Sequence, residues 1–155
     1  MAYDRRRSLV RIIAKEIAML ATYPHTALVV VLSLLVYVWV IIKVGGARAK
    51  YNVQAPAIDG PVEFQRIFRV HMNTLEQLVI FLPSLALFAA AWGDMYAAIV
   101  GVFWPIGRVM YALAYYQAAE KRGPGFGITF LSTVILLIGG LVGIVMQLMA
   151  LAGDM

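Results

Sequence analysis

The chain has 155 residues, of which 63% are hydrophobic and only 14% are charged, and it contains no cysteine. Soluble globular domains are roughly 45–50% apolar and about 25% charged, so this composition excludes an ordinary soluble domain and also a disordered chain. The absence of cysteine excludes a disulfide framework, a thiolate metal site and a cysteine nucleophile. The basic residues behind the net charge of +5 lie between apolar stretches, which predicts loop charges flanking membrane helices and no nucleic-acid partner.

Residues 1–16 differ from the rest of the chain because they are strongly basic. Apolar side chains recur among these charges at helical spacing and continue into the first apolar run. The pattern predicts a basic amphipathic helix lying on an anionic membrane surface. A plain basic extension that anchors the first membrane span remains the alternative. The basic residues are Arg5, Arg6, Arg7, Arg11 and Lys15, and the apolar stripe consists of Leu9, Ile12, Ile13, Ile17 and Leu20.

Four long apolar runs follow. Residues 17–42, 77–93 and 123–153 contain no Asp, Glu, Lys or Arg, and residues 95–119 contain only Arg108. Because about 20 apolar residues cross a bilayer as a helix, we expect an all-α protein with four spans at about 20–43, 66–92, 95–120 and 125–151. These spans form a single integral membrane domain over residues 1–155. The longest connection, from Lys43 to about Gln65, is rich in Gly and Pro and is predicted to be a loop.

The order of the spans determines the topology. Four spans place both termini on one side of the membrane. They place the first and third connections, with their basic residues, on the opposite side. The positive-inside rule assigns that opposite side to the cytoplasm, although the basic N-terminus argues for the reverse orientation. Pro83 and Pro105 should kink the second and third helices, and Gly139 with Gly143 should allow close helix packing. The connection charges are Lys43, Arg48, Lys50, Lys121 and Arg122.

The second helix carries polar residues where a membrane span should be apolar. Arg69, Asn73 and Glu76 stand at i, i+4 and i+7 and share one helix face, with Arg66 and Gln77 at its margins. A guanidinium, an amide and a carboxylate on one face can bind a polar, zwitterionic ligand, since intramembrane ionisable groups mark functional sites by default. The same three residues could instead form an interhelical network that holds the bundle together. His71 lies off this face.

The third helix carries a second set on one face. Arg108, Tyr111, Tyr115 and Arg122 stand at i, i+3, i+7 and i+14. The shared stripe favours tyrosine hydroxyls that point into an internal site. For Arg122 alone, a simple loop cation at a helix C-terminus is the alternative. No His, Asp or Glu grouping has metal-ligand spacing, so no metal site is expected.

These motifs resemble a known family. Ala55-Pro56, Gly60-Pro61 and the run Glu63–Glu76, with the pattern E-F-x-R-x-x-R-x-x-x-N-x-x-E, are similar to the signature of the MAPEG proteins. These are membrane-associated proteins of eicosanoid and glutathione metabolism. The third-helix set is similar to a second block of that family, so the resemblance covers about residues 48–130.

The resemblance implies a homotrimer of four-helix protomers, with active sites between adjacent protomers and glutathione as co-substrate. It implies Arg122 as the catalytic residue that stabilises the thiolate, and we expect a hydroxyl from Tyr115 or Tyr111 to assist. Three departures argue against a dedicated leukotriene synthase: His71 replaces glutamine, Gln77 replaces tyrosine, and Ala49 breaks a pair of arginines. The implied glutathione-binding set is Arg48, Arg66, Arg69, His71, Asn73, Glu76, Gln77, Arg108, Tyr111 and Tyr115.

The expected activity is therefore conjugation of glutathione to hydrophobic electrophiles that enter from the lipid, with a possible peroxidase side activity. A non-enzymatic lipid-binding or scaffold member of the same fold is the first alternative. A small transporter subunit is the second, and it is disfavoured because the sequence lacks an internal repeat. We expect the protein in a bacterial inner membrane with its site toward the cytoplasm, with the endoplasmic reticulum as the alternative compartment.

Overall fold

A computed structural model describes residues 21–153 of the chain, so the predicted amphipathic segment at residues 1–16 lies outside the described residues. The described part forms helices without strands. Four stretches are long and apolar enough to cross a membrane, which confirms the all-α bundle with four spans. The elements are α1 (Pro24–Tyr51), α2 (Val62–Trp92), α3 (Asp94–Gly101), α4 (Phe103–Gln117), a 3₁₀ turn (Ala119–Arg122) and α5 (Gly123–Gly153).

The loop between α1 and α2 is shorter than the sequence predicts. Helix α1 continues through Gly45 and Gly46 and ends at Tyr51, so the loop covers residues 52–61 instead of starting at Lys43. Glycine in a helix costs about 1 kcal/mol relative to alanine, which weakens a helix without stopping it. The residue that caps the helix, Asn52, has a left-handed backbone conformation with φ of 53°. Asparagine tolerates this conformation better than most residues.

The third span, Asp94–Gln117, is interrupted at Val102 alone, whose backbone remains right-handed helical with φ of −63° and ψ of −23°. Helix α3 ends at Gly101, which is four residues before Pro105. Helix α4 begins at Phe103, two residues before the same proline. Proline has no backbone N–H, so the carbonyl of Gly101 loses its usual helical partner. Pro83, in contrast, lies inside α2, which remains one continuous helix.

Glycines bring α5 close to α2 at one end of the bundle. A side chain at Gly139 would overlap the ring of Phe88, and one at Gly143 would overlap Ala91. The indole Nε1 of Trp92 donates a hydrogen bond of 2.8 Å to the carbonyl of Gly139. The predicted role of this glycine pair in helix packing is therefore confirmed.

A second close contact joins α5 to α4 at the other end of the bundle. A Cβ atom at Gly125 would overlap the backbone of Tyr111, and it would come within 2.8 Å of the carbonyl oxygen of Gly107. Helix α5 is thus held against α2 near Trp92 and against α4 near Gly125. Between α2 and the first turn of α5 the helices leave a gap.

The end of the bundle opposite this gap is tied by Asp94. Its carboxylate accepts hydrogen bonds from the backbone N–H groups of His25 (3.0 Å) and Thr26 (2.7 Å). It also lies 2.7 Å from Nδ1 of His25. Because Asp94 starts α3 while His25 and Thr26 start α1, this contact satisfies free N–H groups at the start of α1 and connects it to the turn after α2.

We expect Gly125→Ala to destabilise the protein by about 1–3 kcal/mol, because the added methyl group meets backbone atoms that cannot move aside. Gly127→Ala, two residues along the same helix, is the matched control, since a Cβ there has open space. The control should be neutral or slightly stabilising. Thermal unfolding followed by circular dichroism in detergent compares the two variants. Equal unfolding midpoints would contradict the proposed contact between α4 and α5.

Candidate functional site

The gap between α2 and α5 contains a cavity of about 460 Å³. This volume lies within the roughly 300–1,000 Å³ range of small-molecule sites. The polar faces predicted on α2 and α4 meet there, and the 3₁₀ turn and α5 complete the wall. The lining residues are Arg69, Asn73, Glu76, Tyr111, Tyr115, Arg122 and Phe126.

The α2 wall of the cavity carries a cation, an amide and an anion. Arg69 and Glu76 are exposed on the single chain, and Asn73 between them is half-buried. Nδ2 of Asn73 donates a hydrogen bond of 3.1 Å to Oε2 of Glu76. The free guanidinium of Arg69 can bind a carboxylate with two parallel hydrogen bonds, and the Glu76 carboxylate can bind an ammonium group.

The α4 wall is aromatic, and the 3₁₀ turn adds a second cation. The rings of Tyr111 and Tyr115 lie 5.5 Å apart between centroids. Nη1 of Arg122 donates a hydrogen bond of 3.4 Å to the hydroxyl oxygen of Tyr115, and its guanidinium carbon lies 5.4 Å from the centre of that ring. Because this oxygen acts as the acceptor, the tyrosine O–H remains free to donate to a ligand.

Arg108 lies behind the cavity rather than in its wall. Its side chain is only 1% exposed. Its Nη1 and Nη2 each donate to Oδ1 of Asn73 at 3.2 Å, and Nη2 also donates to Oγ1 of Thr74 at 2.8 Å. Its guanidinium carbon lies 4.1 Å from the centre of the Tyr111 ring. Within the single chain, Arg108 therefore supports cavity residues and does not itself line the cavity.

Arg66 and Arg48 lie toward the loop at residues 52–61. Nη1 of Arg66 donates a hydrogen bond of 2.8 Å to the carbonyl of Gln117. Arg66 lines an adjoining cavity that also contains Asp59 and shares Arg69 and Tyr115 with the first one. Nη1 of Arg48 donates to the carbonyl oxygens of Val53 (3.3 Å) and Ala57 (2.9 Å), so Arg48 braces the loop.

His71 and Gln77 do not line the cavity of the single chain. The His71 ring stacks on Tyr37 of α1, with ring centroids 5.5 Å apart. Its Nε2 lies 3.2 Å from the Tyr37 hydroxyl. Gln77 is half-buried on α2 and outside the set of lining residues.

Two residues of this region are absent from the sequence-based set. Phe126 lines the cavity beside Arg122. Its position four residues after Arg122 places it one helical turn away, which is a signal that the sequence does contain. Thr74 binds Arg108, but an isolated threonine in an apolar helix carries no such signal, because many threonines bond only their own helix backbone.

The comparisons with known proteins agree with one another. The model of the MAPEG family matches residues 26–142. An uncharacterized protein of Synechocystis sp. is 49% identical over 81% of this chain and 92% of its own length. Microsomal glutathione S-transferase 2 of Mus musculus is 38% identical over 63% of this chain and 69% of its own length. Leukotriene C4 synthase of Rattus norvegicus is 32% identical over 70% of this chain and 68% of its own length.

Proposed function

The chain belongs to the MAPEG family, and from this premise we propose that it is a glutathione transferase that conjugates glutathione to hydrophobic electrophiles. Family membership and four apolar helices make it an integral membrane protein. Its relatives include a glutathione S-transferase and a leukotriene C4 synthase, which supports a glutathione-related membrane enzyme. His71, Gln77 and Ala49, which depart from the leukotriene-forming pattern, favour the general transferase activity.

The observation that carries the proposal is the convergence of charged groups on one cavity. Glutathione is a tripeptide with two carboxylates, an ammonium group and a thiol. Arg69 and Arg122 supply cations for the carboxylates and the sulfur, and Glu76 supplies an anion for the ammonium group. The lining thus carries one net positive charge, which complements the negative charge of glutathione at neutral pH.

The proposed chemistry depends on the ionisation of the bound thiol. A free thiol has a pKa near 8.5, and the thiolate is the nucleophile. A guanidinium does not act as a base, so the role of Arg122 is electrostatic: beside the sulfur it stabilises the thiolate and lowers the pKa of the thiol. The free O–H of Tyr115 can donate a hydrogen bond to the same sulfur. The proton leaves to water.

The thiolate then attacks an electrophilic carbon of a co-substrate that enters from the lipid. With 1-chloro-2,4-dinitrobenzene, a sulfur–carbon bond forms, the carbon–chlorine bond breaks, and chloride leaves. The proposed peroxidase side activity uses the same thiolate. In that reaction a lipid hydroperoxide is reduced to an alcohol and water, while two glutathione molecules are oxidised to the disulfide.

The assembly that we propose is a homotrimer. Glu76 lies near the middle of α2, about 21 Å from its first residue at 1.5 Å per residue, yet it is exposed on the single chain. A carboxylate at this depth is costly against lipid, so a protein surface must cover it. Another copy of the chain would supply that cover. Arg48, His71 and Gln77, which lie outside this chain's cavity, would then be available to a neighbouring site.

The distribution of charge supports an orientation with the site toward the cytoplasm. The loop at residues 52–61, the 3₁₀ turn and the cavity lie at the same end of the bundle as Lys50 and Lys121. By the positive-inside rule this end faces the cytoplasm. The relative from Synechocystis supports a bacterial membrane.

We expect Arg122→Gln to lower the rate of conjugation at neutral pH by about 10–100-fold, because the thiol pKa returns toward that of free glutathione. The activity of the variant should therefore need a higher pH than that of the wild type. The measurement is the pH–rate profile with 1-chloro-2,4-dinitrobenzene, together with thiolate absorbance on adding glutathione. Lys121→Gln, which removes the adjacent cation outside the cavity, is the control. An unchanged profile in Arg122→Gln would contradict the assignment, and a wild type without thiolate absorbance would favour the non-enzymatic alternative.

Glu76→Gln should weaken glutathione binding by on the order of tenfold or more, because the ammonium group loses the one carboxylate that residues 21–153 place in the cavity lining. Isothermal titration calorimetry in detergent measures this affinity. Glu63→Gln is the matched control, since Glu63 lies on the same helix, is exposed and does not line the cavity. If both variants bind glutathione like the wild type, the α2 wall has been misassigned.

The proposed trimer has a direct test. Native mass spectrometry of the protein released from detergent micelles should show a species with three times the mass of one chain. A monomer with wild-type activity would contradict the proposed assembly, because Glu76 would then lack its cover.

A further inference from the structure

Arg108 is a buried cation that the proposed chemistry does not use. Its side chain is 1% exposed and lies in a helix of the membrane bundle. In residues 21–153 the only ion pair joins His25 to Asp94, so Arg108 has no carboxylate in direct contact. Removing a cation from water without a direct counter-charge is unfavourable. The hydrogen bonds that Arg108 makes must therefore offset this cost.

The contacts of Arg108 determine how the Asn73 amide is turned. Both terminal nitrogens of Arg108 donate to Oδ1 of Asn73 at 3.2 Å. An amide oxygen has two lone pairs, and here both are used, so Asn73 has no acceptor left for a ligand. The NH₂ group is on the opposite side of the amide, and one of its N–H bonds points to Oε2 of Glu76 at 3.1 Å.

The guanidinium is also held by a hydroxyl and by an aromatic ring. Nη2 donates to Oγ1 of Thr74 at 2.8 Å, and the Thr74 hydroxyl donates in turn to the carbonyl of Val70 at 2.7 Å. The ring of Tyr111 lies against the guanidinium, with 4.1 Å from its centre to the guanidinium carbon. Because it is clamped between α2 and this ring, Arg108 keeps one orientation and transmits it to Asn73.

We propose that Arg108 is a positioning residue that acts on the ligand through Asn73. It forces Asn73 to present only N–H donors, one to Glu76 and one to the bound molecule. The part of the ligand that meets Asn73 must then be an acceptor, such as a carboxylate or a peptide carbonyl. The hydrogen bond from Asn73 also holds one oxygen of Glu76 and leaves the other oxygen for an ammonium group. This inference rests on the proposed function for the identity of the ligand. The contact between Arg108 and Asn73 is independent of that function.

The test is a double-mutant cycle on the full-length protein with Arg108→Gln, Asn73→Ala and the two together. Each single variant should weaken glutathione binding about tenfold, and the double variant should bind no more weakly than Asn73→Ala alone. The KM for glutathione should rise while kcat at saturating glutathione changes less than about twofold, because Arg122 and Tyr115 are untouched. Additive losses of affinity, about hundredfold in the double variant, would overturn the proposal.

A second variant covers the case in which Arg108→Gln does not fold. Thr74→Val keeps the shape of the side chain but removes the hydroxyl that accepts from Arg108. It should weaken glutathione binding several-fold in the wild-type background and have no effect in the Asn73→Ala background. The same loss in both backgrounds would overturn the proposal.

Thermal unfolding without glutathione tests the contact between Arg108 and Asn73 separately from the proposed function. The shifts in unfolding midpoint caused by Arg108→Gln and Asn73→Ala should not add up in the double variant, because Arg108 and Asn73 share hydrogen bonds. Thr74→Val replaces Arg108→Gln in this comparison if the latter does not fold. Non-additive midpoints in a protein that binds no glutathione would refute the proposed function while keeping the contact. Additive midpoints would refute the positioning role itself, whatever the ligand.

Discussion

The backbone of α5 lies directly against the backbone of α4 where Gly125 faces Tyr111 and Gly107. No residue with a side chain fits at this point, so the contact depends on the glycine. The contact also positions residues of the site, because Arg122 precedes Gly125 by three residues and Phe126 follows it directly. The contact therefore brings the second cation and the aromatic edge of the cavity onto the wall formed by α4.

The cavity also depends on how the bundle accommodates polar groups. Three polar side chains in its wall are held by a neighbour: Glu76 by Asn73, Asn73 by Arg108, and Tyr115 by Arg122. Hydrogen bonds of this kind reduce the cost of polar groups in an apolar bundle. They also leave unused the groups that a ligand needs, namely the guanidinium of Arg69, one oxygen of Glu76 and the proton of Tyr115. One network thus stabilises the fold and prepares the site.

The surface of the single chain has two kinds of exposed area, one apolar and one charged. Most of α5 and the outer face of α1 expose large apolar side chains, among them Leu35, Ile42 and Leu141, which suits contact with lipid. The mouth of the cavity instead exposes the charged side chains of Arg69, Glu76 and Arg122. Lipid suits the first area and a protein surface suits the second, which is the physical basis of the proposed trimer.

The sequence by itself determined the four spans, the absence of strands in the described residues and the face shared by Arg69, Asn73 and Glu76. These features depend on composition and on the 3.6-residue helical period, both of which are local. It misplaced the start of the first loop, because Gly45 and Gly46 weaken a helix without ending it. The sequence also did not predict that Arg108, which stands on the same stripe as Tyr111, is buried behind the cavity and does not line it.

Only the tertiary structure decided which of the polar residues meet. Helical spacing states which side chains share a face, but not which neighbouring helix that face contacts or how deeply each side chain is buried. Gly125 brought Arg122 to the cavity, whereas contacts with the loop and with Tyr37 placed Arg48 and His71 elsewhere on the chain. Helix formation depends on residues a few positions apart, and the site depends on close packing between residues far apart in the chain. For that reason the sequence predicted the chemical groups of the site, and the packing of the helices determined their arrangement.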